Sequence, residues 1–184
     1  MEYAITLRLD TAADADVRGI WQAVADAGIG DYMLRLNYPP HLTLAIVDEK
    51  TPTAVVEAAF DVLDKGSPVA LQLGEVRRFE GTSVVWLAAD RGAHLASLHR
   101  MLMASLPEEC VHPHYRADVW VPHVTLYQHG DMPEQAEAIA KTLWSPPRPV
   151  SGSRLELVQF PPVAVLRSMA LGTKKEAPAE TGAL

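Results

Sequence analysis

Two segments of this chain share a five-residue pattern, Pro40-His41-Leu42-Thr43-Leu44 and Pro122-His123-Val124-Thr125-Leu126. With 7 His and 10 Thr in 184 residues, about 0.4 His-x-Thr matches arise by chance, so a single one means nothing. The pair is specific because both copies extend to Pro-His-aliphatic-Thr-Leu, and both have an aromatic residue three positions before the histidine, Tyr38 and Trp120. In a strand, residues i and i+2 share a face. His41 and Thr43 then point one way while Leu42 and Leu44 pack on the other, and His123 and Thr125 repeat the arrangement. Brought together, two imidazoles and two hydroxyls surround a volume suited to a tetrahedral phosphoryl group. The hydroxyls donate to non-bridging oxygens. One neutral imidazole takes a proton from the nucleophile and one protonated imidazole gives a proton to the leaving alkoxide. That scheme requires no metal. The alternative is a pair of strand-borne His–Thr units that only hydrogen-bond at an interface between two lobes.

The elements that must position these residues are legible from periodicity. Tyr3–Leu9 alternates as a strand, and Val17, Ile20, Trp21 and Val24 recur at helical spacing after Asp10. Pro39-Pro40 opens a strand over His41–Val47. Thr53–Lys65 reads as a helix, and Val69–Phe79 and Val84–Ala88 as strands. The order then recurs: a helix from Asp90 carrying Leu95, Leu98 and Leu102, a strand over Trp120–Gln128, a helix over Pro133–Trp144, a Pro-rich link at 146–149, and a hairpin of Arg154–Phe160 with Val163–Leu171. His41 lies 38 residues before Phe79 and His123 lies 37 before Phe160, while Leu7 and Asp10 recur as Leu87 and Asp90. A period near 80 is too long for a solenoid unit. It predicts an α+β, bilobal duplicated fold: two antiparallel sheets with flanking helices around a central cleft, in one domain spanning 1–172. Residues 173–184 are expected to form a disordered tail.

Composition narrows the ligand. The formal net charge is −7, which argues against long nucleic acid, whose binding needs a basic surface. A small phosphate in a local basic pocket stays compatible, and 11 of the 16 basic residues are Arg, the better fork for phosphate oxygens. No apolar run is long enough to span a bilayer, and the first residues lack the pattern of a secretory leader. Cys110 is the single cysteine; a reducing, cytoplasmic location and a monomer acting on small nucleotide or RNA-end phosphodiesters are expected. No Walker loop, dinucleotide fingerprint or nucleophile elbow occurs, and no cofactor is expected.

The paired motifs resemble those of the two-histidine (2H) phosphoesterase superfamily, in particular its 2′-5′ RNA ligase / cyclic phosphodiesterase branch, over roughly residues 1–172. The resemblance implies a bilobal fold with a central cleft, no metal cofactor, and His41, Thr43, His123 and Thr125 as catalytic residues. It also implies 2′,3′-cyclic phosphates, related cyclic nucleotides or 2′-5′ linkages as substrates. Reversible RNA end-joining, or nucleotide binding without turnover in the same cleft, are the alternatives. Around the motifs, strict alternation places Tyr127 on the cleft face, where Ala45 stands in the first copy. Tyr127 is therefore expected to hold the nucleoside side of the substrate and to set His123 at the leaving ribose oxygen as the acid. Tyr38 and Trp120 fall at odd offset, which predicts core packing on the opposite face. Arg35, ahead of the first motif, is a candidate phosphate contact. His112-Pro113-His114-Tyr115 has two imidazoles at metal-ligand spacing but no third ligand, so His114 and Tyr115 are expected at the cleft mouth as substrate contacts. His94, His99 and His129 are expected at the surface.

Overall fold

A computed structural model of the chain describes residues 1–63 and 66–172. The expected C-terminal tail, 173–184, lies outside the described residues, as do the last two residues of the helix expected over 53–65. The alternating segments become β1 (Glu2–Leu9), β2 (His41–Val47), β3 (Val69–Arg78), β4 (Val85–Ala89), β5 (His123–Tyr127), β6 (Arg148–Phe160) and β7 (Ala164–Ala170). The 3.6-periodic segments become α1 (Thr11–Asp26), α3 (Thr53–Asp61), α4 (Ala93–Ser105) and α5 (Pro133–Leu143), with a single turn, α2 (Tyr32–Arg35), between α1 and β2. Asp10 caps α1 by accepting from the Ala13 amide at 3.0 Å. Its counterpart Asp90 instead accepts from the Gln72 amide of β3, and α4 starts at Gly92.

The chain thus runs β-α-β-α-β twice, with β7 appended. The third strand of each half pairs with the first strand of the other: β3 with β4, and β6 with β1, all antiparallel. β2 meets β5 at Leu42 and Val124, and β6, beginning within the Pro-rich link, also pairs with β3 over 148–152. The expected two sheets are therefore joined into one seven-stranded antiparallel sheet, ordered β1-β2-β5-β4-β3-β6-β7 with β6 returning to β1. One face packs on the helices. Ile5, Leu7, Leu42, Leu44, Val124 and Leu87 are buried there with Val17, Trp21, Leu95 and Leu98 of α1 and α4. A group like Leu42, fully withdrawn from water, contributes about 1.5–3 kcal/mol, so these strands are held firmly from behind.

β6 crosses between the halves at Gly152, which pairs with Leu9 on β1 and Val69 on β3. A Cβ there would stand 2.6–2.8 Å from three atoms of the Leu7 side chain. Gly152→Ala should therefore cost about 1–3 kcal/mol by overpacking, read as a lower urea midpoint with an unchanged slope. A midpoint equal to wild type would show that Leu7 yields freely.

Candidate active site

The antiparallel pair Leu42–Val124 sets the site. Continuing that register puts His41 beside Thr125 and Thr43 beside His123, all four side chains on the face away from the helices. Both strands show the same burial sequence. His and Thr are half-buried, while Leu42, Leu44 and Ala45 on one strand and Val124, Leu126 and Tyr127 on the other are buried. The cause is a matched irregularity. Against β1, Thr43 faces Thr6 but Ala45 faces Ile5, so Leu44 is skipped; against β4, Thr125 faces Trp86 but Tyr127 faces Val85, so Leu126 is skipped. A bulge of this kind shifts the alternation by one and leaves ladder groups to be satisfied elsewhere. Indoles do so here: Trp120 Nε1 donates to the Thr43 carbonyl at 3.1 Å and Trp21 Nε1 to the Thr125 carbonyl at 3.2 Å.

The bulges correct one expectation. Beyond Leu126 the alternation has slipped, so Tyr127 turns into the core with Ala45. It is 3% exposed, beside Trp21, Val24 and Met33, and its hydroxyl accepts from the Met132 amide at 3.1 Å. It does not face the motif histidines.

Each imidazole is held in the same way. His41 Nδ1 lies 2.7 Å from the Pro39 carbonyl, and His123 Nδ1 lies 2.7 Å from the Val121 carbonyl. A carbonyl only accepts, so Nδ1 carries the proton and Nε2 is left for substrate. Burial lowers the pKa of both. His41 is pushed down to about 4, chiefly by burial and further by the Arg8 and His123 charges, against the opposing pull of the Pro39 carbonyl and Glu156. His123 is lowered by burial against the Val121 carbonyl. Both are neutral bases at neutral pH, and an anionic phosphate between them would favour protonation of either.

Around this symmetric centre the two sides differ. Arg8 is the register partner of His41, and Glu156 that of Thr6. Glu156, 5% exposed, accepts from the Tyr38 hydroxyl at 2.7 Å, Ser168 Oγ at 3.2 Å and Arg8 Nη1 at 3.4 Å. Tyr38 is buried, but on the motif face rather than opposite it. Its ring stands 4.8 Å from that of His41, and burial raises its phenol pKa. The Pro39-Pro40 entry breaks the alternation that predicted otherwise. On the other side, His123 meets Phe79 edge-on at 5.1 Å and Trp86 at 5.7 Å, and those two rings stack at 4.6 Å. Among the described residues the buried Trp86 indole N–H has no hydrogen-bond partner. Sequence reasoning missed Arg8, Glu156, Phe79 and Trp86. The strand register that sets Arg8 beside His41 links positions 33 apart, and only the appearance of Phe79 in the repeat spacing hinted at its place.

The remaining candidates divide. Tyr115 reaches the site: its hydroxyl stands beside the Thr43 side chain, and burial pushes its phenol up to about 12. The loop carrying it is tied to β2 by the Val47–Val111 bridge and the His112 amide on the Ile46 carbonyl. His114 is exposed, its ring 5.2 Å from that of His112. Among the described residues no three His, Cys, Asp or Glu group as metal ligands. Arg35 is a correction. It pairs with Asp31 on α2, one helical turn away and 70% exposed, because the turn at Asn37 carries the chain from that surface to β2. Trp120 is in the core as expected, but His99 is not at the surface. It is buried, stacked on Trp120 at 3.8 Å and bonded to the Tyr115 carbonyl.

An antiparallel sheet bearing two mirrored His-x-Thr pairs, each imidazole presenting Nε2, defines a two-histidine phosphoesterase arrangement. The model of the 2′-5′ RNA ligase superfamily matches residues 10–161, and the chain belongs to that superfamily. No curated protein matches the sequence. Among solved structures, TT0787 of Thermus thermophilus superposes with a TM-score of 0.59 at 18% identity, covering 95% of this chain and 100% of that one. LigT of E. coli, complexed with NADP+, gives 0.57 at 19% identity over 93% and 97%. At such identities the likeness concerns the fold.

Proposed function

We propose that this chain is a phosphodiesterase that opens 2′,3′-cyclic phosphates, related cyclic nucleotides or 2′-5′ linkages by acid–base catalysis between His41 and His123, without a metal. The observation that carries this reading is the matched pair of 2.7 Å bonds from Nδ1 to the Pro39 and Val121 carbonyls, which leaves two Nε2 atoms on one face as acid and base. Water attacks phosphorus, His41 Nε2 takes its proton, and His123 Nε2–H delivers one to the departing ribose oxygen. Thr43 and Thr125 hydroxyls hold the non-bridging oxygens. The E. coli LigT structures with 3′-AMP and with NADP+ support a nucleotide ligand. With a 5′-hydroxyl in place of water as the nucleophile, the same atoms open the cyclic phosphate into a 2′-5′ linkage, so hydrolase and ligase readings share the site; the net charge of −7 favours small substrates. A monomer in a reducing cytoplasm is the setting proposed. Among the described residues no helix is long and apolar enough to cross a membrane.

The test is a turnover screen in excess EDTA against 2′,3′-cyclic nucleotides, ADP-ribose cyclic phosphate and 2′-5′ dinucleotides, with product regiochemistry read by phosphorus NMR. Full activity with chelator is expected. Activity abolished by EDTA and restored by Zn or Mn would move the chemistry to His112 and His114. Nucleotide binding with no turnover of any of these would favour a binding module.

A further inference from the structure

Where β1 ends and α1 begins, a pocket of about 390 Å³ opens beside the catalytic face. That is the size of a small-ligand site. Its walls carry three arginines, Arg8, Arg18 and Arg154, against the carboxylates of Asp10 and Asp14. Arg8 is the register partner of His41, and Arg154 that of Arg8. Cross-strand partners project from the same face, so the pocket begins one strand spacing from His41 and reaches two, about 5 to 10 Å. Asp10 is engaged through both oxygens and Asp14 through one; Asp14 Oδ2 lies 3.7 Å from Arg8 and has no hydrogen bond among the described residues. Asp10 accepts from the Ala13 amide at 3.0 Å and the Ser151 amide at 2.6 Å; Asp14 accepts from Arg18 Nε at 2.6 Å. Arg18 thus gives its Nε to Asp14, while Arg8 and Arg154 are not saturated. Arg8 is held at a loose 3.4 Å from Glu156 and 3.7 Å from Asp14, and among the described residues its buried Nε has no hydrogen-bond partner. Arg154 bonds the neutral Ser168 hydroxyl at 2.9 Å, and among the described residues it has no carboxylate partner. The N-terminus of the 16-residue helix α1 adds its positive end. In a chain of net charge −7, Arg8 and Arg154 keep donors here of a kind that guanidinium forks offer to phosphate.

We propose that this pocket takes a second phosphoryl group of the substrate, and so selects cyclic phosphodiesters that carry another phosphate one ribose away from the scissile one. The proposal rests on the phosphodiesterase reading of the His41–His123 site and names its substrate class. The test compares kcat/KM for a nucleoside 2′,3′-cyclic phosphate with and without a 5′-phosphate, in wild type and in Arg18→Gln, Arg154→Gln and the double variant. Both side chains are exposed, so the variants keep the fold. Wild type should favour the 5′-phosphorylated substrate by about tenfold or more, the worth of one charge-assisted contact. The preference should lie in KM and shrink towards one in the double variant. A second readout needs no turnover: calorimetric binding of nucleoside 3′,5′-bisphosphate against the 3′-monophosphate, with the same preference and the same loss. Equal binding, or a preference that survives the double variant, overturns the pocket and leaves the phosphodiesterase standing. If neither substrate turns over but the bisphosphate preference disappears in the double variant, the chemistry is wrong and the pocket right. If wild type shows no 5′-phosphate preference while inorganic phosphate alters kcat/KM in wild type only, free phosphate fills the site and the proposal fails.

Discussion

Replacing His41 or His123 with alanine is expected to lower kcat/KM about 10²–10⁴-fold, the usual worth of a positioned acid or base. The two losses have different remedies. A substrate with a better leaving group should rescue His123→Ala, because the acid is then dispensable, and leave His41→Ala slow, because water still lacks its base. Tyr127 cannot fix that orientation by holding the nucleoside near His123, since it lies in the core. The assignment rests instead on His41 having Arg8 beside it, which disfavours its protonated form, while His123 is lowered by burial alone against the Val121 carbonyl. The double variant should be barely slower than the worse single one, since residues acting in one step are not additive. Thr43→Ala and Thr125→Ala should each cost about 1.5–3 kcal/mol, a hydrogen bond to a charged oxygen. Rescue of His41→Ala in place of His123→Ala would reverse the roles. Rescue of neither would remove concerted catalysis by this pair.

What could be read from the sequence was what local periodicity controls. The strands and helices follow from alternation and 3.6-residue spacing, and the four motif side chains share a face because His and Thr are two apart. The residues missed depend on pairing between distant strands. Nothing local to Arg8 says that β2 will lie beside it with His41 in register, or that β6 will add Glu156 and Arg154 to the same face. The exchange of β3 and β6 between halves is equally invisible, since each strand satisfies the same alternation whichever partner it takes. Tyr127 failed for a third reason. A bulge inserts one residue without changing composition or hydrophobicity, so period two was carried one position too far. The paired burial of Leu44-Ala45 and Leu126-Tyr127 is the trace it leaves, and two consecutive apolar residues ending each motif were its signal in the sequence. Arg35 failed because proximity in sequence to Pro39-Pro40 stood in for proximity in space.

The pH dependence of kcat/KM is expected to be a bell displaced to the acid side of neutrality. A histidine whose pKa is lowered is more readily neutral than free imidazole. His41 can therefore act as a base down to about pH 4, where its protonation ends activity. His123 must carry a proton to act as the acid, and that form is lost as pH rises through a pKa that burial holds below the ordinary 6.5. The acid limb of the free-enzyme profile then falls at about 4, and the alkaline limb falls below 6.5. In the kcat profile, bound phosphate adds negative charge beside both imidazoles, raises both pKa values, and moves the bell towards neutrality. The charges that set the acid limb face His41 from neighbouring strands: Arg8 on β1 lowers its pKa and Glu156 on β6 raises it. Arg8→Gln should thus shift the acid limb of kcat/KM upward, and Glu156→Gln should shift it downward, while the alkaline limb set by His123 stays in place. Those opposite displacements separate an electrostatic effect on the base from general damage to the site, which would lower the whole curve without moving its limbs. A kcat/KM profile whose alkaline limb lay well above pH ~7 would show that His123 is not the acid, and an acid limb indifferent to both substitutions would show that His41 is not the base.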